Sequence, residues 1–521
     1  MKKLLNYSLL VSLLLVIASC ENGFDELNTS KTGAAEIDPV YILNNGIVNV
    51  SSSGGAGGGS SLIYDVGVVQ HIISPNSGVL TGANYNQDNR QATQSLWQGY
   101  YRNVIRYTAD VIHATQDDAT RSNLYQMARI LQTYALMVLT DAYGDIPYFE
   151  AGKGYLEGIT LPQYDAQEDI YPAIIQDLKS AVAGLSASGK IETADVLYGG
   201  DVAKWTKFAN SLILRAGMRL STVDPTLAAQ TVASVEGAEL ILTNADNAVV
   251  RHDNNYQNAL GVTLNGTEGA NFYLTAPFVD HLKNTNDPRL TSIAVRYKGA
   301  KSGPEQANTA NGNPPATVTL TKAPADQIGM PMGHDNSTIG AVATGLGLAS
   351  FYDFSQVDRK RMAKLTAPMY LVSAAQTHLL LAEATERGWI STGQTAAEHF
   401  EAGIRAHMEQ LAAFDAGSAV PPADINTYVS ANPYDAANYL EQINTQYWIA
   451  SFLNGPEAFA NYRRSGFPAL APNPYPGKEV TNIYRLTYPT SEISVNSANV
   501  NVAIDRMGGD KLDTRVWWDN E

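Results

Sequence analysis

The chain has one cysteine, Cys20, in 521 residues, so no intramolecular disulfide can brace it. Charge is scarce as well. Only 17% of residues are Asp, Glu, Lys or Arg while 45% are hydrophobic, which excludes disorder over most of the length. Basic residues are in deficit, 35 against 51 acidic for a formal charge of −16, and no local basic patch offsets it. A surface of that sign repels phosphate backbones, which argues against nucleic acid as a partner. Beyond the N-terminal segment no run approaches 18 apolar residues, too little for a helix that spans a bilayer. Neither a Gly-x-Ser-x-Gly elbow nor a His-Glu-x-x-His pair is present. The nearest approach to a phosphate loop is GLSASGKI, Gly184 to Ile191. It puts Ile191 where a magnesium-binding hydroxyl is required and follows a helix instead of a strand. No catalytic residue is nominated, and the chain reads as a non-enzyme.

What is present begins with the N-terminus. Met1-Lys2-Lys3 is a short cationic segment, Leu9 to Ile17 is apolar but too short to cross a membrane, and small Ala18-Ser19 precede Cys20. The stretch LLLVIASC, Leu13 to Cys20, resembles a bacterial lipoprotein signal. Residues 1–19 are then a signal peptide, Cys20 the lipidation site, and 20–37 a polar tether. Contact with the membrane is expected through the lipid alone.

Helical periodicity dominates residues 38–521, read as one domain. Asp38 and Pro39 start a helix over 38–50, and Ser51 to Ser61 is a Gly/Ser loop. Apolar positions then recur at spacings of three and four: Leu96, Tyr100, Val104, Thr108 and Val111, followed by Leu124, Met127, Leu131, Tyr134 and Val138. Asp165 and Glu168 form a capping-box pattern before Ile170, Ile174 and Leu178, and Trp205, Phe208, Leu212 and Leu220 mark the partner helix. A third pair is 374–387 with 396–414. Helical hairpins over about 90–220 and 366–465 predict a mainly α fold, a TPR-like hairpin scaffold with a few short strands. Residues 240–360, with strand-like runs at Leu290 to Tyr297 and Thr317 to Thr321, and the proline-punctuated segment 466–521 predict a loop-rich face.

Candidate chemistry is thin. His399 and His407 lie two helical turns apart, about 12 Å by helix rise, too far for one zinc ion, and are expected on a helix surface. Asp141 and Asp145 are paired carboxylates, but Gly144 and Pro147 make them a helix stop and a turn. Oxygen-rich loops at Asn244 to Asn247, Asp253 to Asn255 and Asp335-Asn336 leave calcium possible, although none has the EF-hand spacing and solvated turns are the simpler reading. No metal site and no other cofactor is nominated. Aromatics say more. Sugar rings stack on Tyr or Trp while Asn, Asp and Arg bond their hydroxyls. The segment from His71 to Arg90 supplies Tyr85, Asn86 and Arg90 just before Trp97, and Ala349 to Ser355 supplies Phe351 and Tyr352. These six form the candidate ligand-binding set, although each taken singly fits core packing as well.

Several stretches resemble the SusD/RagB family of nutrient-binding outer-membrane lipoproteins, in particular its SusD-like branch. They are TDAYGDIPY (140–148), WTKFANSLILRAGMRLS (205–221), LLAEATERGW (380–389) and FEAGIRAHM (400–408). YWIASFLNGPEAFANYRRSGFP (447–468), RLTYPTSE (485–492) and TRVWWD (514–519) continue the series in family order. The resemblance implies a TPR-like scaffold with a loop-built ligand face, lying as a lid over a SusC-type TonB-dependent transporter at the cell exterior. It implies capture and delivery without catalysis. The ligand expected is an oligosaccharide, with an oligopeptide as the alternative. The matched stretches are scaffold, so the resemblance assigns no ligand residue; Arg463 and Arg464 are expected to pair with carboxylates near the C-terminal segment.

Overall fold

The computed structural model describes residues 37–51 and 59–519; Cys20, the signal-like segment and nearly all of the tether lie outside them. Helix α1 (Pro39–Asn49) starts where Asp38 accepts from the Val40 amide at 3.0 Å, with Pro39 supplying the first turn. Helix α2 (Arg90–Tyr100) passes through a π-type turn at Tyr101–Ile105 into α3 (Arg106–Thr115). Helix α4 (Ser122–Tyr143) stops at Gly144, whose φ of +83° suits glycine and where a Cβ would lie 2.6 Å from the Met507 sulfur. The longer helices that follow are α5 (Gln167–Gly184), α6 (Val202–Arg219), α7 (Pro225–Ala233), α8 (Ala276–Asn284), α9 (Ala374–Glu386), α10 (Ala396–Gln410), α11 (Tyr439–Ala450), α12 (Gly455–Ser465) and α13 (Ser497–Met507).

Neighbours in sequence pack as pairs: α3 with α4, α5 with α6, α9 with α10, α11 with α12. Further packing of α1 on α3, α4 on α5, α6 on α9 and α9 on α11 joins the pairs into one TPR-like stack. Capping boxes at Ser373/Gln376 and Thr395/Glu398 open both helices of the third hairpin. The box expected at Asp165 and Glu168 does not form. Ala166 is the N-cap of α5, and Asp165 instead accepts from the amides of Tyr148 and Phe149 at 2.8 and 3.0 Å, closing a ribbon against Ile146.

Strands are short: β1 (Ile72–Ile73), β2 (Ala248–Val250), β3 (Tyr273–Leu274), β4 (Ala294–Lys298), β5 (Thr319–Thr321), β6 (Gln356–Val357) and β7 (Met369–Val372). β1 pairs antiparallel with β3, β2 with β7, and β4 is central between β5 and β6. The strand expected over 290–297 is half helix, Arg289–Ile293, before β4 begins. The regions 300–350 and 466–521 also hold more regular structure than expected, with helices at Gly303–Ala310, Ile339–Gly345 and Thr490–Val495 besides α13. Their sequences are rich in small polar residues, and short helices of that kind carry little periodic signal.

One hydrophobic core runs from Val40 to Trp518. Inside it lies a charged lattice. Arg219 contacts Glu457 at 3.0 Å and Asp141 at 3.3 Å, Arg215 contacts Glu457 at 3.3 Å, and Arg464 meets Glu383 at 2.7 Å. Arg464 therefore pairs inside the scaffold and not near the C-terminus, while Arg463 bonds the carbonyls of Tyr484 and Asp141 and lies 4.8 Å from the Trp518 ring. Burial opposes charge on Glu383, but Arg464 and Arg387 overcome it and hold its carboxyl down at about 2.

His399 and His407 are buried, contrary to the surface expectation, because α10 is covered by α9 on one side and by Pro422–Ala431 and α11 on others. His399 Nδ1 faces His378 Nδ1 at 3.0 Å, and His407 Nδ1 accepts from Arg289 at 3.1 Å.

Candidate functional site

The loop after β1 is held by amide side chains. Gly82 (φ +152°) lets the chain pass Ile63 where a Cβ would lie 2.4 Å from that side chain. Asn84, buried, donates to the carbonyls of Ser74 (3.0 Å) and His334 (2.8 Å) and accepts from the Gly333 amide at 3.0 Å. Asn473 donates to the carbonyls of Ala83 and Asn84 at 2.7 and 2.9 Å and to Asn86 at 3.2 Å, and Asn86 donates to the Thr481 carbonyl at 2.8 Å. Three loops distant in sequence (82–87, 332–335 and 473–481) thereby become one surface.

On that surface Tyr85 stacks on Tyr475 with ring centroids 3.6 Å apart and planes within 2°. Both rings are half-buried. Partial burial and the Asp335 charge push the Tyr85 hydroxyl up to about 12. Asp335 itself is held far below the usual carboxylate range by the hydroxyls and amides of Ser337 and Thr338. The second aromatic pair, Phe351 with Tyr352, has centroids 4.1 Å apart on a turn capped by Ser350. Phe351 rests on a satellite core that includes Tyr273, Met332 and Ile339, so both pairs flank the 332–345 segment.

The remaining nominated residues play other parts. Trp97 is 4% exposed, edge-on to Tyr143 at 5.1 Å and stacked near Tyr164 at 5.9 Å, so its ring packs the core and offers no face to a ligand. Arg90 is committed to Asp510 at 2.6 Å, Asp88 at 3.1 Å and the Tyr488 carbonyl at 3.0 Å, which clamps the C-terminal segment onto α2. Asn86 is 7% exposed and spends its amide on the loop network. Tyr85, Phe351 and Tyr352 keep surface. Sequence reasoning missed Tyr475 and Asn473; Tyr475 stands between Pro474 and Pro476, a turn signal that could have marked it.

Beside the stacked pair, and sharing Asn86, Met332 and Asn473 with it, opens a cavity of about 250 Å³ between α12 and the loop 466–484. Tyr462 and Tyr484 contribute aromatic wall, and the Arg515 guanidinium lies 4.0 Å from the Tyr484 ring centre. Arg463 closes the cavity floor, and burial pulls its guanidinium down to about 10 although Asp519 and Asp141 resist this.

Other chemistry considered above has structural work. Asn123 fills the GLSASGK turn, bonding the carbonyls of Ser186 and Lys190 at 3.0 and 3.1 Å. Asp141 accepts from the Tyr171 hydroxyl, and Asp145 from Arg506 at 2.5 Å. In the oxygen-rich loops Asp246 accepts from Thr243 and pairs with Lys207, Asp253 accepts from the amides of Asn255 and Tyr256, and Asp335 caps its own turn. Among the described residues no three His, Cys, Asp or Glu side chains are grouped to hold a metal ion, and no helix is long and apolar enough to cross a membrane.

The family described as "Starch-binding associating with outer membrane", SusD-like, matches residues 31–489. A solved chitin-binding protein is 29% identical, with 93% of this chain and 100% of that one covered at a TM-score of 0.80. A Bacteroidetes SusD-like structure is 26% identical with the same coverage and a TM-score of 0.78. A chitin-binding SusD homologue from Flavobacterium johnsoniae, 24% identical over 92% of this chain and 95% of that one at a TM-score of 0.71, shares the fold. No curated protein sequence is significantly similar. With the hairpin stack, the loop face and a family match across most of its length, this chain belongs to the SusD-like family of outer-membrane-associated glycan-binding proteins.

Proposed function

We propose that the protein captures oligosaccharides at the cell exterior and passes them to a SusC-type TonB-dependent transporter, over which it sits as a lid. The observation that carries the reading is the Tyr85–Tyr475 stack beside a cavity walled by Tyr, Asn and Arg. Flat rings accept the apolar faces of sugars, amides both donate to and accept from their hydroxyls, and guanidinium groups donate to them. Names borne by similar structures, chitin-binding in two cases, support a glycan over other ligands. Attachment is by lipid on Cys20, facing outward. The reading requires no catalytic group and no cofactor.

An oligopeptide is the second reading, favoured by one observation: Trp97 is buried, so the candidate face carries tyrosine and phenylalanine but no indole platform. Calorimetric titration of the protein lacking residues 1–20 against an oligosaccharide panel and a mixed peptide digest separates the two. Heat with defined stoichiometry from a glycan is expected; heat from peptides alone would move the assignment to the second reading. The lid role predicts recovery with a TonB-dependent barrel in mild detergent at moderate salt, as a large interface requires. Recovery only as a free monomer would contradict it.

A further inference from the structure

Asp65 lies beneath the ligand loop without a bonded partner. It is 1% exposed, and neither carboxyl oxygen has a hydrogen-bond partner among the described residues. Its one-turn helix, Asp65–Val68, is wedged between the two elements that carry the candidate site. On one side Gly67 meets the loop, where a Cβ would lie 2.7 Å from the Ala83 Cβ, and the preceding Tyr64 donates its hydroxyl to the Gln87 carbonyl at 2.8 Å. On the other side Gly455 opens α12, where a Cβ would lie 2.9 Å from the Asp65 Cβ, and α12 supplies Tyr462 and Arg463 to the cavity. Few ionisable groups face Asp65. Arg463 acts on it from α12, but this guanidinium bonds the carbonyls of Phe459, Tyr484 and Asp141 and also lies in the field of Asp519 and Asp141. Tyr143 faces it from α4. The helix Gly59–Ile63, the turn Leu80–Asn84 and β1 contain no ionisable residue, and His71, just before β1, faces the rings of Phe278, Trp448 and Phe452 instead.

We propose that Asp65 is a positioning residue that seats the ligand loop only while its carboxyl carries a proton, so that ligand capture and proton binding are coupled. The link to capture rests on the glycan reading above; the link to the loop does not. A neutral carboxyl is tolerated in a dry seat, whereas a carboxylate must find water or a bonded cation. Arg463 reaches it only by leaving the carbonyls it already holds. The close approaches at Gly67 and Gly455 leave no slack, so water enters only when the loop or the start of α12 lifts. A ligand lying on Tyr85 holds the loop down, and ligand and proton therefore favour the same state, each tightening the other. The sign follows from burial, which raises the carboxyl from 3.8 to about 7 in the closed seat while an open, hydrated seat restores the ordinary value. Between those values the closed form alone keeps the proton, so the seat loosens as pH rises across that window.

The test uses the full-length lipoprotein in mild non-ionic detergent and begins without ligand. Hydrogen exchange of residues 82–87, corrected for the intrinsic effect of pH, is measured near pH 5 and near pH 7. Protection is expected to fall about tenfold or more between them, with α6 unchanged, since one proton shifts the equilibrium by up to about tenfold per pH unit. Asp65→Asn, close in shape and never charged, should lack that fall; this separates Asp65 from His334 on the same surface. Chitotetraose, which has no ionisable group of its own, is then titrated near pH 6 in buffers of different ionisation heat. The parent should take up protons as it binds and lose affinity toward pH 7, and Asp65→Asn should do neither. The parent's proton uptake is read without any variant. An equal fall in protection in both proteins would overturn the seat. Binding of chitotetraose with no proton uptake would overturn the coupling and leave glycan capture in place. Silence toward chitotetraose would count against glycan capture, and the exchange result would still decide the seat.

Discussion

Between α6, α9 and α12 five buried side chains are charged and tightly paired, whereas the three loops that carry the Tyr85–Tyr475 stack are joined by neutral amides bonded to main-chain carbonyls. Arg215, Arg219, Glu457, Arg464 and Glu383 cross-link three helices. Asn84, Asn86 and Asn473 cross-link three loops. A buried ion pair is unforgiving, because removing one partner strands the other charge in a low dielectric. An amide network tolerates the loss of one bond at the cost of one or two unsatisfied groups. The scaffold is thus built to have one arrangement, and the face is built so that Tyr85 and Tyr475 are presented by bonds that are individually modest. That contrast orders the predictions.

The largest effect is expected at Glu457. Glu457→Ala leaves Arg215 and Arg219 without their shared carboxylate and should cost about 3–5 kcal/mol in urea unfolding. A loss below 1 kcal/mol would break the contrast. Next is Asp65, buried beneath the ligand loop with no hydrogen-bond partner for either oxygen among the described residues. Burial raises its carboxyl to about 7, against the nearby Arg463. Because the folded state holds this proton more tightly than the unfolded one, its contribution is complete below about 3.8 and is lost as pH rises through about 7. Asp65→Asn should therefore match the parent near pH 3 and exceed it near pH 8 by about 4 kcal/mol. Glu383 has the opposite sign. Its contribution is complete above about 4.5 and disappears as pH falls toward about 2, so acid should attack the scaffold through this pair.

Smaller changes are expected on the face. Asn473→Ala removes donors to Ala83, Asn84 and Asn86 and should cost about 1–3 kcal/mol, with proteolysis concentrating in 466–481. Tyr475→Ala forfeits one stacked pair, about 0.5–1.5 kcal/mol of stability, and should weaken glycan binding. Trp97→Leu sharpens the comparison. It should destabilise the core without lowering the affinity of the molecules that remain folded.

The helices were legible because α4, α5, α6 and α10 repeat apolar residues at helical spacing over three turns or more, and that signal survives without homologues. The face was less so. On α2 both Leu96 and Trp97 are buried, since core lies on two sides, and spacing alone cannot distinguish an indole packed on Tyr143 from one open to solvent. Arg90 sits next to the ligand loop in sequence, yet its partner Asp510 is 420 residues away. Tyr85 was readable as an aromatic in a loop of Asn and Gly, but Tyr475, which completes the platform, is joined to it only by the fold. His399 and His407 failed for the same reason: burial of both faces of α10 depends on elements that arrive from either side of it in the chain.

The division between charged scaffold and amide-pinned face is tested most directly by hydrogen exchange with and without a bound oligosaccharide. Slowed exchange in 83–87, 332–336 and 473–484, with α4, α6, α9 and α12 unchanged, is the predicted result. Protection confined to the hairpins, with those three loops unaffected, would contradict it.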